Sequence, residues 1–137
     1  MKPLYAFLTL LALTFSFQAN AQEKEEPDPE QIALDEIDRL ADTYRLDDYQ
    51  IFILDSILFH NIPAMFQELE QVQKLGAESW RSYQHIQDKW SARTDSAYQL
   101  LFTEEQWSRY MKREGKRLKK ERDKRLEEFN SARKKRR

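Results

Sequence analysis

The sequence predicts an all-α protein of about four helices, and three observations carry that prediction. Its 137 residues include only two glycines and four prolines, little material for hairpin turns, and 34% are charged. Leu, Glu, Gln, Lys and Arg, all good helix formers, are heavily used. Apolar residues from Ile51 to Val72 recur at steps of three and four, the spacing of one helical face. Two segments, Leu46–Gln50 and Phe102–Gln106, each place a capping side chain three residues before a glutamine, the signature of a helix start.

Met1 and Lys2 make a short positive start, and Leu4 to Phe17 is an apolar run without a charge. Ala19-Asn20-Ala21 supplies the small residues of an export cleavage site, so residues 1–21 read as a signal peptide removed after Ala21. The apolar run spans about 21 Å as a helix, short of the ~30 Å hydrocarbon core of a bilayer. Residues 22–29 are expected to be acidic and disordered, residues 30–115 to form the helical domain, and residues 116–137 a basic, highly charged tail. With no cysteine, the domain has no disulfide framework.

The first helix opens on Asp28 as cap and Pro29 at a position where a missing N–H costs nothing. Ala33, Ile37, Leu40 or Ala41, and Tyr44 follow at helical spacing, and the helix should end near Arg45. In the second, Asp47 and Gln50 form a capping box, with Leu46 and Ile51 placed as a hydrophobic staple. Its stripe is Ile51, Leu54, Leu58, Ile62, Met65, Leu69 and Val72, interrupted by Pro63, which should kink or break it near Asn61-Ile62. Gly76 ends the segment. A third helix from about Glu78 or Ser79 shows Tyr83, Ile86, Trp90, Ala97 and Leu101 on one face. The fourth repeats the starting device, with Thr103 and Gln106 as the box and Phe102 stapling to Trp107. Gly115 interrupts it. Beyond lie Leu118, Leu126 and Phe129, too sparse for a core face, so the tail is expected to be a solvated helix that frays after Asn130.

Charge divides the mature chain in two. Residues 22–111 hold 8 Lys/Arg against 19 Asp/Glu, a net of −11, whereas residues 112–137 hold 14 against 5, a net of +9.

The two glutamine motifs, the export signal and the helical layout resemble the Spy/CpxP-like family of small periplasmic proteins, known for paired Leu-Thr-x-x-Gln motifs. The resemblance runs over about residues 30–125. Leu46, Asp47 and Gln50 match the first copy, with Asp in place of Thr; Phe102, Thr103 and Gln106 match the second, with Phe in place of Leu. Both departures keep the physics of the capping box. The resemblance implies a thin, bent helical hairpin that dimerises into a cradle in the periplasm. It also implies an ATP-independent chaperone of non-native polypeptides, or an envelope-stress accessory.

No chemistry of another kind is expected. His60 and His85 stand 25 positions apart with none of the short spacings of metal ligands, so no metal and no cofactor are assigned. No nucleophile elbow or phosphate-binding glycine loop is present, and the chain does not read as an enzyme. Acid pairs such as Asp47-Asp48 and Glu104-Glu105 fall in first helical turns, where negative charge meets the helix dipole favourably.

Contact with other molecules is the better-supported expectation. Ile51, Phe52, Ile53 and Leu54 cannot all face one neighbour, so Ile51, Phe52, Ile53, Phe59 and Phe66 are the candidate surface for a client or a second copy of the chain. The basic residues 112–137 suit an anionic membrane surface, an envelope sensor, the acidic body of the same chain or of a second copy, or plain solvation. Export and the lack of interleaved aromatics exclude nucleic acid. Two functional readings follow: a periplasmic binding module for non-native polypeptide, or a structural and regulatory accessory docked through its basic tail.

Overall fold

The computed structural model describes residues 26–76 and 80–137, so the expected signal peptide of residues 1–21 and residues 22–25 of the expected acidic N-terminus lie outside the described residues. The expected start of the third helix at Glu78 or Ser79 lies outside them too. Among the described residues 89% are helical and there is no strand. No described helix is long and apolar enough to cross a membrane.

Helix α1, Pro29–Tyr44, begins as its sequence dictates: the Asp28 carboxylate accepts from the Glu30 N–H at 3.0 Å, and Pro29 takes the first position. Ala33, Ile37, Leu40 and Tyr44 are its buried face. It stops where Arg45 turns left-handed (φ 52°), and the Leu46 N–H reaches back to the Ala41 carbonyl at 3.1 Å, closing a Schellman turn. Helix α2, Asp48–Lys74, follows after three residues and runs unbroken through Pro63. The expected break near Asn61-Ile62 is absent. Leu58 and Asn61 in the turns before it are buried, and Asn61 donates to Thr94 Oγ1 at 3.0 Å, so packing against the next helix holds the turn that proline weakens. Gly76 then adopts φ 69°, a left-handed position that suits glycine.

Helix α3, Trp80–Leu101, returns antiparallel to α2. Gln50 meets Leu101, Asn61 meets Thr94 and Glu68 meets Trp90 along the hairpin. Helix α4, Glu104–Tyr110, a π-helical turn at Met111–Gly115, and helix α5, Lys116–Lys135, form one continuous rod that runs back along α3. Two elements therefore lie on one side of the α2–α3 hairpin: α1 over α2, and α5 over α3. The core, built on Leu40, Tyr44, Leu54, Leu58, Tyr98, Phe102 and Tyr110, fills the end where the two helix-to-helix turns meet.

The solvated tail expected from its few apolar residues is corrected here. Helix α5 continues past Asn130 to Lys135 and docks on α3. Polar contacts carry the docking where apolar ones are scarce. Arg122 pairs with Asp95 at 2.9 Å and donates to Ser91 Oγ at 3.1 Å, with both charges buried. Arg125 grips Asp88 with two bonds of 2.9 and 3.0 Å. Phe129 stacks on His85 with ring centroids 3.9 Å apart. Once such a pair is buried, removing one partner strands the other charge, at a cost of about 3–5 kcal/mol.

The π turn sets the register of this docking. Asp95 receives Tyr110 Oη on one oxygen at 2.6 Å and Arg122 on the other at 2.9 Å. In an uninterrupted α-helix these two residues would point about 120° apart. The extra residue absorbed by the π turn brings them within about 20° of one face. Gly115 makes room for it: a Cβ there would stand 2.6 Å from Tyr110 Cε1 and 2.8 Å from Met111 Sδ. The chain is therefore not interrupted at Gly115, which permits a close approach inside a continuous helix. Gly115→Ala should lower stability by about 1–3 kcal/mol, the cost of overpacking, although helix propensity alone favours alanine by about 1 kcal/mol. Chemical denaturation checks the sign; a stabilised variant would show that the Tyr110 ring can yield.

Candidate functional site

Both capping boxes form as the sequence predicts. Asp47 accepts from the Gln50 N–H at 2.8 Å while Gln50 Oε1 accepts from the Asp47 N–H at 3.0 Å. Thr103 and Gln106 make the same exchange at 3.2 and 2.9 Å. Spacing alone does not reveal that the boxes meet. Gln50 Nε2 donates to Gln106 Oε1 at 2.7 Å, and Gln106 Nε2 donates back to Gln50 Oε1 at 3.2 Å. Gln50 also donates to the Leu101 carbonyl at 3.1 Å, and Gln106 to the carbonyls of Tyr44 and Arg45, both at 3.3 Å. Each buried carboxamide thus has every donor and acceptor engaged, and each ties its own helix start to the end of a helix from the other half of the chain.

Apolar motif residues complete this joint. Leu46 and Phe102 are buried. Phe102 stacks on Tyr98 at 5.3 Å and meets Tyr44 and Tyr110 at 5.8 and 5.9 Å, so its partners are these rings of the core. Trp107, its expected staple partner, stacks on Tyr110 at 5.4 Å.

Beside the joint, charged groups strap α1 to the π turn. Arg39 holds Glu114 with two bonds of 3.0 and 2.9 Å and Glu36 with two of 2.8 Å. Tyr44 Oη donates to Glu114 at 2.7 Å. Burial opposes the charge on Glu114, but the hydrogen bonds from Arg39 and Tyr44 outweigh it and hold its carboxyl below the usual range. Burial, then the hydrogen bond to Glu114, pushes the Tyr44 hydroxyl up to about 12. Desolvation, joined by the bond to Asp95, likewise drives Tyr110 upward.

A groove of about 490 Å³ opens between α1 and α5 over the hairpin. Ile62, Met65 and Trp90 contribute its apolar floor, and Ile32 and Leu118 stand exposed on facing rims. Asp35, Glu36, Arg39 and Glu114 add charge along one edge. Trp90 is fixed there by its Nε1 bond to Glu68 at 2.7 Å, and the Arg93 guanidinium lies 5.2 Å from the centre of its ring.

The surface expected for a client or second copy lies elsewhere: none of Ile51, Phe52, Ile53, Phe59 or Phe66 lines the groove. Ile51 and Phe59 pack against the core, and Ile53 and Phe66 are half-buried. Phe52 is 68% exposed beside Tyr49 at 70%. Sequence reading missed Ile32 because it lies off the buried face of α1, and set Leu118 aside as one of three apolar residues too sparse for a core face. It assigned Ile62, Met65 and Trp90 to the core because they continue the stripes that lead into it. His60 is exposed with its ring edge towards Trp90, 6.4 Å away. Among the described residues no group of three His, Asp or Glu is placed to hold a metal ion.

Comparison with family models, with curated proteins and with solved structures gives no match for the chain.

Gln106→Leu should destabilise the fold by roughly 2–4 kcal/mol, because each buried polar group left unpaired costs about 1–3 kcal/mol. Thr103→Ala should cost less, about 0.5–2 kcal/mol, since it removes only the exposed half of the box. Equal losses in urea denaturation would show that the glutamine contact adds nothing to the cap.

Alkaline pH should loosen the same end. The folded Tyr44 value of about 12 lies above its ordinary 10.0, so its contribution is complete below pH 10 and is lost as pH rises towards 12. Unfolding titrations should show stability falling across that window, and Tyr44→Phe should flatten the fall. A slope unchanged by the substitution would remove Tyr44 from the account.

Proposed function

We propose that this chain is an exported, periplasmic binding protein, resembling the Spy/CpxP-like family, that holds non-native polypeptide without nucleotide. The groove supports this reading most. Its two rims are the helices α1 and α5, and its floor offers Ile62, Met65 and Trp90. An open apolar trough with charged edges suits extended or partly folded chain: apolar side chains enter, and the peptide's own charges stay near Asp35, Glu36 and Arg39 at the edge. Methionine and tryptophan in the floor adapt to varied side chains without requiring one sequence.

Self-association belongs to the same reading. Phe52 and Tyr49 form an exposed aromatic pair one turn apart on α2, on residues that do not line the groove. A second copy covering that pair would leave both grooves open.

Aggregation of a chemically denatured model protein, followed by light scattering, tests both parts. Ile32→Asp and Leu118→Asp change exposed positions and should leave the fold intact. Each should weaken client holding about tenfold, the loss of about 1.4 kcal/mol expected for one apolar anchor. Sedimentation should give a dimer that Phe52→Asp splits. Undiminished suppression by both groove variants would exclude the groove, and a monomer before substitution would exclude the dimer.

A further inference from the structure

The fold brings together two segments that the sequence keeps far apart. The first turns of α3, just after the α2–α3 connection, and the last turns of α5 lie at the same end of the molecule, opposite the glutamine joint. A cleft of about 720 Å³ opens between them, lined by residues from both. Its cationic side is unusually dense. Arg81, Arg125, Arg133, Arg136 and Arg137 all line it, against Asp88 and Glu128. Asp88 is already committed to Arg125, which leaves four arginines facing one acid. Those four make no ion pair among the described residues.

Apolar groups accompany the charge. Trp80, at the cleft mouth, is 71% exposed, and Leu75, five residues earlier across the same connection, is 83% exposed. The stacked His85 and Phe129 rings line the cleft between them. Large apolar side chains standing in water at the tip of a hairpin have no role in the core. Solvation accounts for the arginines but not for an exposed tryptophan beside them.

We propose that this end of the molecule docks on an anionic phospholipid membrane. Trp80 and Leu75 enter the interfacial layer, and the arginines of the cleft receive lipid phosphates. Both parts match the requirements of such a surface. Tryptophan partitions to the headgroup level because its ring is amphipathic. Arginine binds phosphate through paired N–H donors, and clustered cations are drawn to anionic lipid. Attached by this end, the protein stands with its groove and its Tyr49–Phe52 pair away from the bilayer. The membrane contact is thus independent of the polypeptide-binding reading.

Flotation of the full chain with vesicles of phosphatidylcholine, alone or mixed with phosphatidylglycerol, tests the proposal. Binding should require the anionic lipid. Replacing Arg133, Arg136 and Arg137 together with alanine should weaken it about a hundredfold, since each cation near the surface contributes about fivefold. Trp80→Ser should weaken it about tenfold. Lipid brominated on the acyl chain should quench tryptophan emission in the unaltered protein, and Trp80→Phe should abolish that quenching while keeping the helical circular dichroism. Three results would overturn the proposal: equal binding to neutral vesicles, anionic binding with no quenching through Trp80, or displacement by inorganic phosphate alone. Aggregation suppression without vesicles should be unchanged in every variant, so failure here is distinguishable from failure of the groove.

Discussion

The fold hangs on a requirement that two helix starts impose when they are buried face to face. A helix N-terminus presents free N–H groups, and a helix end presents free carbonyls; neither tolerates a dry environment unsatisfied. Here the starts of α2 and α4 meet beside the ends of α1 and α3. Gln50 and Gln106 answer all four termini at once, each capping its own helix and reaching the carbonyls of a neighbour. Asn or Glu would not serve as well: the first is too short to span the box, and the second has acceptors but no donor for the carbonyls. The aromatic cluster of Tyr44, Tyr98, Phe102 and Tyr110 packs round this polar joint and keeps water from competing with it. Everything further along the molecule takes its direction from that joint.

Away from the joint the hairpin is held by different means. Contacts between α3 and α5 rely on Arg122 with Asp95 and Arg125 with Asp88, and their apolar share is small. The division of net charge between body and tail is therefore satisfied partly within the molecule, by specific pairs at hydrogen-bonding distance. Pairs as close and as sheltered as Arg122–Asp95 resist screening by salt, whereas the arginines at the end of α5 remain outside this arrangement.

Much of this was legible in the sequence, because the signals were local. Asp28-Pro29, the two capping boxes and the apolar stripe of α2 each depend on residues within a turn or two, and the helices formed where those signals stood. Less legible was anything decided by partners distant in the chain. Asp88 and Asp95 are not part of the apolar face of α3, and only the return of α5 makes them buried. The tail read as solvated because an amphipathic test counts apolar residues, while its docking face is made of Arg122 and Arg125. The groove went unseen for a related reason: Ile32 and Leu118 are 86 positions apart and face each other only once both rims are in place. Of the kink or break expected at Pro63 the break does not occur, because Leu58 and Asn61 just before it are packed against α3.

The π turn at Met111–Gly115 has a consequence for how this chain tolerates change in length. It behaves as one surplus residue stored within a rod, and the storage fixes the phase of all that follows. Deleting a single residue from this stretch would restore an ordinary helix and leave Tyr110 and Arg122 eleven steps apart, still within about 20° of one face. Arg122 and Arg125 would keep their places against Asp95 and Asp88. A second deletion would find no surplus to absorb it, and the whole of α5 would turn by about 100° off α3. In a rod of this kind the count of residues is as much a determinant of contact as their identity.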